Sequence, residues 1–400
     1  MELKNQTKHL DSELHRIHLL HRNIDNGMAH FMAFVKHGLV TKFTKSKETN
    51  NDLIKKINVL ENFDHNYILL TNGTLSSINF NYENLDKIVI KDLKNKSIVT
   101  SATNNNLTLL NKALSSGGFL LEVFENYKFK KPLIIYNYFS ENLKNVILNN
   151  SNYIKLNKGS ELTAVEYTID NSNNNFIKNT LDKISLDDNA VYKNISIQKS
   201  KSSGHFYRYT QASLENNSDY QNFILTSGLK FNKSEIEVNL NKEKSNCSIL
   251  SALNIVKNEH QEIKTRINHY APNCESYQKI KNVVNENGKG VYQGKIFVKD
   301  IAQKTNAYQL SKALILSDKA EFDAKPELEI YADDVKCSHG STSGSIDKDA
   351  VHYLMTRGID AKTAKQLLIN GFLNDILDSI LDIDIKKFVE NNLEGQINGH

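Results

Sequence analysis

The chain has 400 residues, 39% of them hydrophobic, which is enough for two to three folded domains with a buried core. Its 50 Lys and Arg against 46 Asp and Glu leave a net charge of only +4, which disfavours nucleic acid and anionic lipid as partners. Three widely spaced Cys residues exclude a disulfide framework or a zinc ribbon, and no apolar run reaches the about 18 residues of a membrane helix, so we expect a reduced cytoplasmic protein.

Residues 1–130 mix helical and strand patterns and are predicted to form an α+β N-terminal cap. Apolar residues recur at helical spacing over 10–21 and 54–60. Strand-like runs follow at 67–70, which leads into Asn72-Gly73 as a tight turn, and at 87–90. Four histidines near the start are interpreted as water-facing, since no Cys or carboxylate completes a metal site with them: His9, His15, His18 and His21.

Residues 131–345 predict a β domain of short strands whose centres recur about every 13 to 15 residues. The connections are too short for crossover helices, which excludes a doubly wound α/β sheet. Two architectures remain, a sandwich or barrel of antiparallel hairpins and a β-solenoid whose strands stack in parallel with their equivalents one coil later. Regular spacing favours the solenoid. So does the alternation of apolar and small residues at 249–253, because one face of each strand would fill a narrow interior.

Residues 346–400 return to a helical period and predict an α-helical C-terminal domain. Asp347 and Asp360 are predicted N-caps of two helices, and Arg357-Gly358 the end of the first. The second helix carries a wide apolar stripe, with Gly371 as a candidate break: Ala364, Leu367, Leu368, Phe372, Leu373, Ile376, Leu377, Ile380 and Leu381. Such a stripe either buries against the β domain or forms a docking face for another protein.

The most reactive-looking segment is 332–344, where Cys337 and His339 stand two residues apart. If they continue the preceding strand, their side chains project from one face about 7 Å apart. A thiolate beside an imidazole suits iron or zinc. Gly340 and Gly344 are expected to let the chain leave the sheet, which would place the pair at a domain junction. The plainer alternative is a small buried Cys and a hydrogen-bonded turn His.

Two other constellations are weaker. His269 and Cys274 would complete a tetrahedral zinc site with Cys337 and His339 only if folding brought all four together. Cys337, His269 and Asp334 formally supply a nucleophile, a base and an orienting acid, but no elbow or oxyanion-hole motif accompanies them. We therefore predict no catalytic site.

Five motifs carry a family resemblance. They are INHYAPNCESYQ at 267–278, GVYQGKI at 290–296, AQKTNAYQ at 302–309, KPELEIYADDVKCSHG at 325–340 and RGI at 357–359. In this order and spacing the chain resembles the SufB/SufD family of iron–sulfur cluster assembly proteins. Within the family it is most similar to the SufD branch, because DDVKCSHG has the SufD form and the segment after Gln-Lys-Thr lacks the Cys typical of SufB.

The resemblance implies a right-handed parallel β-helix core between two helical caps, in agreement with the solenoid favoured by spacing. It also implies a non-catalytic scaffold that pairs with SufB as a heterodimer, the two β-helices joining into a longer sheet. The C-terminal helices would dock the ABC-type ATPase SufC, which hydrolyses ATP. Homodimers of the isolated chain are a further expectation. The docking residues on this chain would be Arg357, Gly358, Ile359, Leu367, Leu368 and Phe372.

The resemblance further implies a transient iron–sulfur cluster at the SufB–SufD interface, to which a SufD histidine contributes. The matching position is His339, with Cys337 close by, and both are candidate cluster and metal ligands completed by the partner. SufC motion, transmitted through the C-terminal helices, is expected to expose the pair. Flavin in the assembled complex belongs to the same expectation, whereas no tightly bound cofactor is expected on the isolated chain.

Two alternatives are weighed against this interpretation. The nearer is a SufB-like member of the same complex. The other, from a different class, is a β-solenoid carbohydrate lyase or hydrolase. Such enzymes are usually secreted and carry acidic residues along an exposed groove, whereas this sequence shows neither an export signal nor a dense carboxylate row on its strands.

Overall fold

The computed structural model describes residues 64–94, 106–172, 175–199, 204–378, 380 and 382–397. The predicted helices at 10–21 and 54–60 and the four early histidines lie outside these residues. The described helices are α1 (Asn106–Leu114), α2 (Lys348–Thr356), α3 (Ala361–Leu377) and α4 (Ile383–Ile397), with a 3₁₀ turn at Leu85–Lys87. The described strands are β1 (Asn66–Thr71), β2 (Thr74–Asn79), β3 (Ile88–Asp92), β4 (Phe119–Val123), β5 (Leu133–Phe139), β6 (Ile147–Leu156), β7 (Glu161–Asp170), β8 (Ile177–Leu186), β9 (Val191–Lys199), β10 (His205–Leu214), β11 (Asp219–Ser227), β12 (Phe231–Leu240), β13 (Asn246–Ile255), β14 (His260–His269), β15 (Glu275–Val284), β16 (Lys289–Val298), β17 (Asn306–Ile315), β18 (Glu321–Ile330) and β19 (Lys336–Ser345).

The strands form two sheets that the chain visits alternately. From β5 onward, odd-numbered strands lie in one sheet and even-numbered strands in the other, and each pairs in parallel with the strand two positions along. Asn246 of β13 pairs with Glu275 of β15, so this coil takes 29 residues and each predicted strand spacing is half a coil. The arrangement confirms the parallel β-helix and excludes the antiparallel sandwich. At the N-terminal end, β1–β2 and β3–β4 are antiparallel pairs.

Asn recurs at the turns between strands. A tight corner between the two sheets needs a residue with left-handed backbone, which Asn adopts more readily than most residues. The predicted turn at Asn72-Gly73 is confirmed, with φ of 51° and 80°. Among the described residues, six later connections use Asn at φ between 53° and 59°: Asn126, Asn145, Asn189, Asn217, Asn258 and Asn273.

The interior between the sheets is mostly aliphatic, but one layer in its middle is charged. Arg208 of β10 donates from Nε to Asp182 of β8 at 2.9 Å and also bonds Glu166 of β7. These side chains line a cavity of about 20 Å³, room for roughly one water molecule. Burial raises the pKa of Asp182, and the Arg208 charge opposes that rise. The layer is therefore a buried ion triad in the β-helix core.

The C-terminal helices pack on the outer face of the odd-numbered sheet. Leu373 of α3 and Val389 of α4 belong to one buried cluster with Phe223 and Leu250 of that sheet, so most of the apolar stripe is buried against the β domain. The Asp347 and Asp360 caps are confirmed, each accepting two backbone N–H bonds. The predicted break in the second helix is wrong, because α3 runs continuously through its glycine and tertiary packing outweighs the weak helix propensity there. Among the described residues, no helix is long and apolar enough to cross a lipid bilayer.

A polar contact also fastens α3 to the sheet. Lys281 of β15 is buried, donates to Asp375 and to the backbone oxygen of Phe372, and lies 4.6 Å from the Phe372 ring centre. Lys279 adds a second bond to Asp375 at 2.7 Å. Burial lowers the pKa of Lys281. For Asp375, burial acts to raise the pKa but the two lysines outweigh it, so the pKa is lowered.

We expect Asp375→Asn to loosen the helix from the sheet by about 1 kcal/mol. Lys281 would keep a buried charge with a weaker partner, but nearly half of the Asp375 side chain is exposed and solvent screens the pair. Hydrogen exchange of α3 and α4 amides measures this directly. Lys386→Ala removes the partner of the exposed Asp378 and serves as the control, with no change expected beyond a few tenths of a kcal/mol. Equal hydrogen-exchange rates of the α3 and α4 amides in both variants would show that Asp375 does not fasten α3 to the sheet.

Candidate functional site

Cys337 and His339 lie on the last strand of the odd-numbered sheet. They do not continue the preceding strand, the condition considered from the sequence, because β18 ends at Ile330 and a turn carries the chain to the other sheet, where β19 begins. The prediction that Gly340 and Gly344 lead the chain out of the sheet is wrong, since β19 runs through both to Ser345. The two-residue spacing nevertheless puts both side chains on one face of one strand.

That face points into the β-helix. In the parallel register, Cys337 pairs with Ala307 and His339 with Gln309 of β17, and both partners are fully buried. Cys337 packs against the apolar cluster that contains Ala307. Two residues after His339, Ser341 accepts a hydrogen bond from its register partner Ser311, with 2.9 Å between their Oγ atoms. Both candidate ligands are therefore interior side chains of the last coil.

The last coil, made of β18 and β19, is called here the open end. The two strands are the outermost members of their sheets, and no other described strand pairs with their free edges. His339 is consequently exposed although its side chain is on the interior face, while Cys337 is half-buried. A thiol and an imidazole thus stand side by side where the interior of the β-helix opens to solvent.

The surroundings keep the Cys337 thiol protonated. Burial raises its pKa, an effect that a backbone hydrogen bond involving Ala307 partly opposes. Neighbouring Lys336 lies on the opposite face of the strand and is exposed, as predicted. A metal ion binding here must therefore displace the thiol proton, which makes binding stronger as pH rises.

The alternative site with His269 and Cys274 does not form. His269 is buried, and its Nε2 lies 2.9 Å from Ser276 Oγ. Ser276 is on β15, two strands from the β19 strand that carries Cys337. Burial lowers the pKa of His269 to about 3. Cys274 is buried and donates to the backbone oxygen of Lys242 at 3.2 Å. Within the described ranges, no three His, Cys, Asp or Glu side chains are grouped so as to hold a metal. The alternative of a zinc site is therefore wrong, and His269 does not lie close enough to Cys337 to act as a base.

Buried polar side chains that the sequence analysis did not identify lie in the two coils below the open end and are called here the polar layer. Gln309 donates from Nε2 to the backbone oxygen of Gly294 at 3.2 Å. Gln278 accepts from Thr265 at 2.5 Å and from the Tyr292 hydroxyl at 3.3 Å. A Cβ at Gly294 would collide with the ends of the Tyr292 and Gln309 side chains, so glycine leaves the space that they occupy. The strand register that stacks these residues under His339 is not readable from sequence alone.

The predicted docking residues divide into exposed and covered groups. Phe372 is half-buried beneath Lys281, and Leu368 and Ile359 are also half-buried, while Gly358 is exposed with φ of 89°. Leu367 is 46% exposed, and the exposed Arg357 guanidinium lies 5.3 Å from the Tyr353 ring centre. Two exposed neighbours were missed, Tyr353 and Met355. The exposed side chains of α2, its C-terminal end and α3, namely Tyr353, Met355, Arg357 and Leu367, are together called here the exposed helical patch.

A family model and several known proteins are similar to this chain. A family model described as "SUF system FeS cluster assembly, SufBD core domain" matches residues 138–372, which include most of the β-helix and the open end. The iron–sulfur cluster assembly protein SufD of Escherichia coli is 31% identical over 265 residues, covering 65% of this chain and 62% of that protein. SufD of Bacillus subtilis is 25% identical over 385 residues, covering 92% and 87%.

A third relative is a SufBD family protein of Synechocystis, 32% identical over 205 residues, with 51% of this chain and 45% of that protein covered. For this relative and the Escherichia coli protein, the match spans less than two thirds of the relative's length.

Proposed function

Because the chain belongs to the SufBD core domain family of the SUF system, is most like SufD and thereby has a role in iron–sulfur cluster assembly, we propose that it is a scaffold subunit on which a nascent cluster is built and passed on. The observation that carries the proposal is an incomplete donor pair at an uncovered end of the β-helix. The cluster is cargo in this proposal, and the chain performs no catalytic step itself.

The donor pair needs a second subunit. One thiol and one imidazole are two of the donors that cluster iron requires, and no third stands near them in the described part of the chain. The missing donors come from a SufB-like partner that covers the open end. An imidazole is a weaker ligand than a thiolate, which favours release of the cluster over storage.

The partner would join through the two free strand edges. β18 and β19 offer unpaired backbone groups, and an edge strand of this kind is a template for strand addition. The two β-helices would then form continuous sheets across the heterodimer. Homodimers of the isolated chain would use the same edges when no SufB-like partner is present.

The exposed helical patch would dock a SufC-like ATPase. Its aromatic ring, thioether, guanidinium and leucine side chain are types enriched at protein interfaces. Because α3 is fastened to β15 by buried apolar contacts and by Lys281, movement of the helices would be transmitted into the odd-numbered sheet that carries the ligand pair. His339 is already exposed in this chain, so ATPase motion would act by opening the covered interface.

The three cysteines are unpaired, which fits a reducing compartment, and the proposed location is the cytoplasm. Flavin would belong to the assembled complex and has no role in the steps assigned to this chain.

Co-purification with SufB-like and SufC-like proteins from one expression host tests the proposal. We expect all three to elute together, and we expect Leu367→Glu to lower recovery of the ATPase by more than about tenfold while the SufB-like protein is retained. Ile301→Glu, also at an exposed apolar residue but outside the helical patch, is the matched control and should retain both. Failure of the parent chain to bind either protein, or cleavage of uronate polymers by it, would overturn the proposal.

A further inference from the structure

The polar layer beneath His339 contains a buried oxygen with no partner. Gln309 is completely buried, yet its Oε1 accepts no hydrogen bond in the structure. A buried amide oxygen without a hydrogen bond destabilises a protein, so such an atom in a native interior is expected to have a partner in a working state of the protein.

The identity of that atom is fixed by its neighbours. The other end of the Gln309 amide faces the backbone oxygen of Gly294, which can only accept, so the nitrogen lies there and the oxygen is the unpaired end. The glycine backbone admits the Gln309 side chain because any Cβ would collide with it. The oxygen is therefore held in a fixed place by the coil below.

The residue stacked above Gln309 is His339. The two are register partners on adjacent parallel strands, with Ala307–Cys337 on one side and the Ser311–Ser341 hydrogen bond on the other fixing their common face. On the other side of Gln309 is Gln278, whose Nε2 is a buried donor without a partner. An amide oxygen can accept two hydrogen bonds, so Gln309 Oε1 can serve a donor from each neighbour.

We propose that Gln309 is a positioning residue for His339, accepting a hydrogen bond from one imidazole N–H so that the other ring nitrogen faces the open end as a ligand. This deepens the proposed function and rests on it for its biological use. In a histidine that binds a metal, the N–H of the second ring nitrogen usually donates a hydrogen bond to a carbonyl or carboxylate oxygen. This bond fixes the tautomer and raises the basicity of the ligating nitrogen. Gln309 supplies that carbonyl from the interior.

The test reads the tautomer of His339 in the isolated full chain by the ¹⁵N shifts of ¹⁵N-histidine-labelled protein at one alkaline pH. The His339→Gln spectrum, by subtraction, assigns the signals. We expect Gln309→Met, which removes the acceptor at similar volume, to change the ratio of the two tautomers by about threefold to tenfold. Gln309→Glu keeps an acceptor oxygen and should retain the parent tautomer.

Gln278→Met is the matched control, since it alters the same interior column one coil further from His339 and should leave the ratio unchanged. Identical spectra for the parent and Gln309→Met, with the fold verified by circular dichroism, would overturn the assignment. Should Gln309→Met fail to fold, loss of the parent tautomer in Gln309→Glu would overturn it equally. Neither result bears on whether His339 is a cluster ligand, which is tested by assembly itself.

Discussion

His339→Ala should abolish cluster formation on the assembled complex while the subunits still co-purify. The side chain is exposed at the open end, so its loss removes a donor without a large folding cost. Removing a metal ligand is at least as severe as removing its hydrogen-bonding neighbour, so we expect iron and sulfide retained by the complex to fall by more than about tenfold. Anaerobic reconstitution followed by iron and sulfide analysis measures the loss.

Two variants on the same strand sharpen that experiment. Ser338→Ala changes the outward-facing neighbour of His339 and should assemble cluster normally. Cys337→Ser removes the thiol, and we expect an intermediate loss, because the half-buried Cys337 gives up a proton reluctantly and the imidazole remains. A His339→Ala complex with the parent's iron and sulfide content would show that the histidine is not a ligand. Loss of co-purification would instead assign it a structural role.

The architecture was predictable because its signals are local. Strand spacing fixed the half-coil, Asn at the corners supplied left-handed backbone, and Asp347 and Asp360 marked where helices begin. What could not be predicted depends on register. The sequence places Cys337 and His339 on one face of a strand. Only the stacking on Ala307 and Gln309 shows that this face is the interior, and only the strand order shows that no described strand lies beyond β19.

The C-terminal stripe illustrates the same limit. Its helical period was plain, yet periodicity cannot say which surface covers an apolar face. Packing on the odd-numbered sheet covers Leu373 and half-covers Phe372, while Leu367 stays exposed. The docking face proposed for the ATPase is consequently narrower than the stripe. It includes Tyr353 and Met355 on α2, which the stripe of the second helix did not contain.

The largest stability loss is expected from Arg208→Leu in the ion triad. The substitution leaves the carboxylates of Glu166 and Asp182 in the β-helix core without their cation. Breaking a buried ionic network by removing one member typically costs about 3–5 kcal/mol, which is a large part of the stability of a whole domain. Chemical denaturation of the full chain at neutral pH should show this loss. Lys295→Leu breaks a solvent-screened pair with Glu329 and should change the free energy of unfolding far less.

The pH dependence of the loss separates a buried charge from lost packing. Without Arg208, the buried Asp182 carboxylate loses its cation, so the pKa of Asp182 in the folded state rises further above its unfolded value, the direction in which burial already moves it. A group whose pKa is raised in the folded state costs stability as pH rises from its unfolded pKa to its folded pKa, so the stability deficit of Arg208→Leu should shrink as pH is lowered from neutral. Adding Glu166→Gln and Asp182→Asn removes the charges and should restore most of the stability at neutral pH. A deficit that stays constant with pH and survives in the triple variant would mean that Arg208 acts through packing alone. Because the triad lies several coils from β19, the triple variant should also bind cluster as the parent does, which sets the requirements of the fold apart from those of the ligand pair.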